Sequence, residues 1–364
     1  MTVQCELRRT GGRRPLPAAI LQLEHQKFLY EGETVRVPLC AACSLVGEEK
    51  TTVLLPSTKV ESYTDSVKPV SVTGRAAVFG PYTAAATSAE LATVLRVHYE
   101  HDTPVPVATS VEREIEISHY GNVAVEEFFD LRHAGAALKG SFSRLEHQYS
   151  PSPNAFQELT AVLPAEATGV YYRDAIGNVT SSHLRSSAAK TELELQFRFP
   201  LFGGWHIEWY QGYNVPLGAF VSTWGGNRFA LECDFVPPFK ALLTEQLIVK
   251  VVLPAGASDW KVESPMALAA QSVDVRFAYL DVPWSPRTVL ILEARNVIAD
   301  GTLPRLRVTY RLPAWHLVEK PLFVMGVALL CFVVSMVAGR VQWDFERASP
   351  VVGVAAAAGK KKAQ

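Results

Sequence analysis

The hydrophobic and polar positions of this chain alternate with period two over most of its length. In residues 191–199 (TELELQFRF), Leu193, Leu195, Phe197 and Phe199 fall on one face and Glu192, Glu194, Gln196 and Arg198 on the other. That is the pattern of an antiparallel strand buried on one side. Residues 112–118 (EREIEIS) and 305–312 (RLRVTYRL) repeat it, while 247–253 (LIVKVVL) is the more continuous apolar run of a strand inside a sandwich. Only residues 154–162 read as a short helix. The 23 prolines and 23 glycines are spread along the chain and punctuate many short strands. The expected architecture is therefore mainly β, with sandwiches built from two sheets and no internal repeat of short period.

One segment breaks the alternation. Residues 321–339 (PLFVMGVALLCFVVSMVAG) carry no charge, and at about 1.5 Å per residue they come close to the ~30 Å hydrocarbon core of a bilayer. Trp315 precedes the run and Trp343 and Phe345 follow it, where amphipathic rings sit at headgroup level. A buried core helix would carry a polar stripe, which this run lacks. It is read as one transmembrane helix. Basic residues do not orient it, because Arg305, Arg307, Arg311 and Lys320 lie before it and Arg340, Arg347 and Lys360 to Lys362 after it. Residues 1–19 hold Arg8, Arg9, Arg13 and Arg14 but no apolar core of a secretory signal. Two expectations follow from that: an upstream segment precedes Met1, or the first part stays in the cytosol.

The chain has 364 residues, enough for about two globular domains. With 35 basic and 36 acidic side chains the net charge is −1, so no global field attracts nucleic acid. Mean hydropathy is +0.10, and the apolar run accounts for much of it. A boundary is expected near residues 101–106 (HDTPVP), where two prolines separate strand-like runs. The part before it reads as an incomplete domain, and residues 107–312 as a self-contained β domain.

The side chains that could carry chemistry are few. Cys40 and Cys43 form a C-x-x-C without a second pair or a βαβ setting, so neither a zinc site nor a redox site is completed, and their disulfide state stays open. Cys5, Cys233 and Cys331 are isolated along the chain. His98, Glu100, His101 and Asp102 (HYEHD) are metal-ligand types, but on an extended segment neighbours point to opposite faces, and a solvated linker is the better reading. Glu112, Glu114 and Glu116 share one solvent side. The pairs Gly203-Gly204 and Gly225-Gly226 read as tight turns. No nucleophile elbow, H-E-x-x-H, phosphate loop or dinucleotide fingerprint is present. No catalytic, cofactor-binding or metal-ligating residue is therefore assigned, and no cofactor is expected. Asn178-Val179-Thr180 is the one N-x-S/T sequon, in a polar turn-like segment. Lys361 and Lys362 stand fourth and third from the end, as in dilysine endoplasmic reticulum retrieval signals. Both motifs fit one topology, with a lumenal N-terminal part and a cytosolic tail.

Residues 111–144 (VEREIEISHYGNVAVEEFFDLRHAGAALKGSFSR), 170–184 (VYYRDAIGNVTSSHL) and 198–216 (RFPLFGGWHIEWYQGYNVP), with FAYLD from Phe277 and VQWDF from Val341, closely resemble the ribophorin I family. This is the large single-span subunit of the oligosaccharyltransferase complex. The resemblance runs from about Leu21 to about Phe345. It implies tandem lumenal β-sandwich-like domains followed by one transmembrane α-helix, in a single-pass type I glycoprotein of the endoplasmic reticulum membrane. The expected divisions are a basic unstructured segment at 1–15, a partial first lumenal β domain at 16–104 and a second at 105–312. The membrane-proximal segment and helix follow at 313–341, and a short cytosolic tail at 342–364.

The resemblance further implies a non-catalytic subunit that anchors the complex and handles substrate during protein N-glycosylation, the catalytic residues lying in another subunit. Expected partners are that catalytic subunit, small membrane subunits and nascent polypeptides. Asn178 falls on the family's glycosylated sequon. The family carries a signal peptide and a further stretch before the part matching Leu21, which leaves the first domain incomplete here. Its longer animal members end in a ribosome-docking cytosolic region, and ribosome docking is not expected of this chain. Trp205, Trp209 and Trp224 are candidate lumenal contact surfaces, with core packing the expectation for at least two of them. The competing reading is a free-standing single-span β-sandwich receptor or adhesion protein.

Overall fold

A computed structural model describes residues 12–35, 49–66, 68–82, 92–180, 182–240, 242–278, 281–298 and 304–340. Across them the chain is mainly β, with strands in six sheets and one long C-terminal helix. In the first part, Lys27–Val35 and Ala92–Glu100 form the centre of a four-stranded sheet edged by Gly12–Pro15 and Val60–Tyr63. Glu49–Leu54, Ala76–Tyr82 and Val70–Thr73 make a three-stranded sheet. Their inward residues, among them Phe28, Phe79, Leu95 and Val97, close one core. Residues 12–15, expected in an unstructured segment, are a strand instead. Arg14 faces Glu31 at 3.6 Å and the Arg13 guanidinium lies over the Phe28 ring at 5.9 Å, so cross-strand partners engage arginines that look unattached in the sequence.

The second part is built on a seven-stranded sheet. Its order is Thr168–Asp174, His206–Pro216, Asn122–His133, Pro106–Ser118, Leu243–Val252, Arg287–Ile298, Ala270–Arg276. All neighbours are antiparallel except Pro106–Ser118 and Leu243–Val252. Val111, Ile115 and Ile117 line the buried face, which joins a single core with two smaller sheets: one of Phe156–Leu163, Thr191–Leu201 and His183–Ser186, the other of Val221–Thr223, Arg228–Asp234, Arg305–Arg311 and Ser258–Glu263. Each fully buried aliphatic side chain there contributes about 1.5–3 kcal/mol. On the opposite face Glu112, Glu114 and Glu116 point outward as expected and pair with Lys250, Arg276 and Arg287.

Two local expectations fail. Residues 154–162 hold no helix; Phe156–Leu163 is a strand paired with Thr191–Leu201. A helix this short has little stability of its own, whereas β-branched Thr160 and Val162 gain a ladder and bury Ala161 and Leu163. The short helix forms earlier, at Arg144–Tyr149, where the Ser143 hydroxyl accepts the Glu146 N–H at 3.3 Å. Phe199, expected inside, is exposed. The ladder jumps from Gln196 opposite Glu158 to Leu201 opposite Phe156, a bulge that resets the alternation so that Leu201 and Phe202 turn inward.

The two parts share structure. Ala19–Ile20 pairs in parallel with Ala137–Leu138, and the buried Gln22 side chain exchanges hydrogen bonds with the backbone of Ser143 at 2.9 and 3.0 Å. Val105 and Val107 pack in the first core, Ala108 and Val111 in the second.

The helix Trp315–Arg340 follows closely on Arg305–Arg311 and is long and apolar enough to cross a membrane. Pro321 lies inside it and cannot donate to the Leu317 carbonyl four residues back. The Tyr120 hydroxyl, from the hairpin between Pro106–Ser118 and Asn122–His133, donates to that oxygen at 3.0 Å instead. The first turns are held further by a polar collar. Glu319 is buried and accepts from Trp284 Nε1, His316 Nδ1 lies 2.7 Å from it, and Lys320 pairs with Asp281. Burial alone would raise the Asp281 pKa, but Lys320, the Ala278 N–H and Arg287 hold it below the ordinary carboxylate range.

Candidate functional site

The sequon sits at an ordered turn. Thr168–Asp174 is an edge strand of the seven-stranded sheet, and the chain reverses just after it. The Asp174 carboxylate accepts the N–H groups of Ile176 and Gly177 at 3.0 and 2.9 Å, an Asx-type turn. Gly177 has φ of 144°, which glycine adopts at little cost. Arg198 pairs with the same carboxylate, and its Nη2 reaches the carbonyls of Gly177 and Asn178 at 3.4 Å each. The Arg198 hydrogen bond holds the Asp174 pKa below its ordinary value. Beyond the turn, the Val179 N–H donates to the Tyr172 carbonyl at 3.1 Å and the Val179 side chain packs against the core. Asn178 and Thr180 are exposed on the other side. The backbone is therefore fixed while the Asn178 amide and the Thr180 hydroxyl both face solvent.

The HYEHD residues do not form a linker. His98 and Glu100 belong to the strand Ala92–Glu100, because alternation there finds a partner in Lys27–Val35. His98 Nε2 lies 3.0 Å from the Leu16 carbonyl, and His101 stands against Phe28 and Tyr99. The carboxylates meet a different histidine: His25 Nδ1 is 2.7 Å from Asp102 and 3.8 Å from Glu100. Lys59 pairs with Glu100 and holds its carboxyl below the ordinary range, while Asp102 also accepts the Gln26 N–H at 3.1 Å. Lys59, Glu100, His101 and Asp102 line an open depression of about 290 Å³, and Lys59, Glu100, Asp102 and His25 are already engaged with one another.

Of the three tryptophans, Trp209 is in the core stacked on Phe129, Trp205 is half-buried among Phe142, Phe199 and Phe202, and Trp224 is exposed beside Arg307. Gly203 is more than a turn residue, since a Cβ there would lie 1.8 Å from the Ala136 carbonyl oxygen. Cys233 is buried, and burial pushes its thiol up to about 11. Cys40, Cys43, Lys361 and Lys362 lie outside the described residues.

One constellation is not anticipated from the sequence. Arg113 and Glu127, both buried, stand 3.2 Å apart beneath the seven-stranded sheet. Arg113 donates to the Val236 carbonyl at 2.6 Å and to the Tyr213 hydroxyl at 3.3 Å, and Gln211 donates to Glu127 at 2.8 Å. Burial pushes the Glu127 carboxyl up against the pull of Arg113. The group is sealed from solvent, and its chemistry is that of a buried ion pair tying three strands together. The hairpin carries the missed signal: Ser118 opposite Asn122 sets a register that places Arg113 directly opposite Glu127, on the apolar faces of their strands.

The family described as Ribophorin I matches residues 1–339. The chain is 36% identical over 345 residues to dolichyl-diphosphooligosaccharide–protein glycosyltransferase subunit 1A of Arabidopsis thaliana, covering 94% of this chain and 54% of that protein. It is 35% identical over 349 residues to subunit 1 of Caenorhabditis elegans, covering 95% and 58%. The chain thus spans a little over half the length of these relatives. Among solved structures, the M1 zinc metallopeptidase of Deinococcus radiodurans is similar at a TM-score of 0.32 and 10% identity, over 57% of this chain and 42% of that one. That likeness is too slight to carry an inference.

Proposed function

The chain belongs to the ribophorin I family, and on that premise we propose that it serves as a non-catalytic subunit of the endoplasmic reticulum oligosaccharyltransferase. In this role it supports protein N-glycosylation by anchoring the assembly and presenting nascent polypeptide, while a separate polytopic subunit transfers the oligosaccharide. The observation that carries the reading is the family match across residues 1–339, whose relatives are named as subunits of that transferase. The architecture suits it: a large β surface joined directly to one apolar helix. The free-standing receptor is not favoured.

The proposed topology places residues 16–104 and 105–312 in the lumen as two β domains, 313–341 in and next to the membrane, and 342–364 in the cytosol. Asn178 is the glycan acceptor, supported by its exposure on an ordered turn. Lys361 and Lys362 act as the retrieval signal. The partners are the catalytic subunit and small membrane subunits of the complex. In cells depleted of this chain, sequon occupancy of a secreted multi-site reporter should fall and recover on re-expression. Full occupancy after depletion would count against the role.

A further inference from the structure

The β domain presents an aromatic side chain at the depth where the apolar helix begins. Residues 281–286 (DVPWSP) form a tight turn in which the Ser285 N–H donates to the Val282 carbonyl at 3.0 Å. Val282 and Ser285 are buried, and Trp284 between them is thrust outward, 67% exposed. Its ring does not point into open solvent at an arbitrary height. Trp284 Nε1 donates to Glu319, and the ring packs edge-on against Phe323 with centroids 5.9 Å apart. Glu319 and Phe323 lie about 6 Å apart along the helix axis, and the uncharged run begins between them at Pro321. Trp284 therefore straddles the step from polar to apolar helix surface, the level at which a tryptophan places its ring in lipid and its N–H on a polar partner.

A second aromatic from the same domain lies slightly higher. Tyr120 is 60% exposed and bonds the Leu317 carbonyl, about 6 Å above Pro321. Trp315, 56% exposed, is the helix's own contribution. The collar of Glu319, Lys320, Asp281 and Arg287 fixes the turn to the helix, so the aromatic positions cannot drift independently of it.

We propose that the turn bearing Trp284 is a membrane-seating element, and that its partner is the phospholipid headgroup and acyl boundary on the side of the bilayer where the helix enters. With Tyr120 and the helix it gives the β domain several points of contact with the lipid surface. The domain is then held at a set tilt instead of swinging on a tether. The proposal rests on reading residues 321–339 as a membrane span.

The test uses the full chain, labelled with 5-fluorotryptophan and reconstituted in phosphatidylcholine nanodiscs without detergent. Its ¹⁹F resonances for Trp284, Trp315 and Trp205 are assigned from W284F, W315F and W205F. Trp205 lies at the far end of the seven-stranded sheet, next to the strand His206–Pro216 whose Pro216 end pairs with Asn122 near the helix. A nitroxide carried on the lipid chain near the headgroup should broaden the Trp284 and Trp315 signals several-fold more than that of Trp205. A water-soluble nickel chelate should favour Trp205. The readout is taken on the wild-type protein, so it does not depend on the stability of the variants. Trp284 behaving like Trp205, or responding chiefly to the soluble agent as an uncovered protein-docking surface would, overturns the seating while Trp315 still reports the span. Failure of the chain to co-elute with discs overturns the span and the seating with it.

Discussion

At the scale of single residues, the sequon and the buried ion pair show what composition reveals and what it hides. Asn178 is legible because three adjacent letters define it; its exposure depends on Asp174 and Arg198, and Arg198 belongs to another strand. A glycosidase treatment should increase the mobility of the wild-type chain on a denaturing gel and leave N178Q unchanged; equal mobility of both would remove the glycan from the proposal. Arg113 and Glu127 were hidden because a charge on an inward face reads as an exception until the hairpin register is known. Removing one partner leaves the other buried and unpaired, so E127A should lower unfolding free energy by about 3–5 kcal/mol in a denaturant titration, and a change near zero would show that water reaches Arg113. His133 adds a pH dependence. It is buried, its Nδ1 accepts the Gly135 N–H at 2.9 Å and its Nε2 donates to the Asn154 carbonyl at 2.7 Å. Burial lowers its pKa below the ordinary value of about 6.5. The folded state then binds fewer protons than the unfolded state, and the contribution present above about pH 6.5 is lost as pH falls through the depressed value. The thermal midpoint should decrease on acidification from about pH 7 to 5, and less steeply in H133Q. Parallel profiles for the two proteins would dissociate His133 from the effect.

At the scale of elements, period-two alternation identified the strands at residues 112–118, 191–197 and 305–311, each buried on one face, but not the end of Ala92–Glu100, where His98 and Glu100 read as a linker. It misread residues 154–162, whose strand is decided by a partner some thirty residues on, and Phe199, which a bulge turns outward. The apolar helix was legible from length and charge alone, but its attachment was not, since Tyr120 and Leu317 are 197 residues apart in sequence. That attachment is testable by a double-mutant cycle. Y120F should destabilise the junction by about 1 kcal/mol and do so less when P321A returns an N–H to the Leu317 carbonyl. Strict additivity would mean that the hydroxyl does not replace the proline's missing donor.

At the scale of the whole molecule, a near-neutral chain with paired surface charges and a sealed ionic core is suited to presenting surface and anchoring to membrane. The resemblance legible in long segments such as 111–144 is matched by family membership across residues 1–339. The relation between the two β parts was not legible, because residues 19–26 and 105–108 contribute to both and neither carries a local pattern that says so. The proposed role makes this chain one subunit of a glycosyltransferase assembly. The most direct measurement is affinity capture of the tagged full chain from microsomes in mild detergent, followed by assay of the eluate with a lipid-linked oligosaccharide and a sequon peptide. Co-elution of the catalytic subunit with glycopeptide formation is expected. An eluate containing the intact chain but neither the catalytic subunit nor transfer activity would contradict the claim.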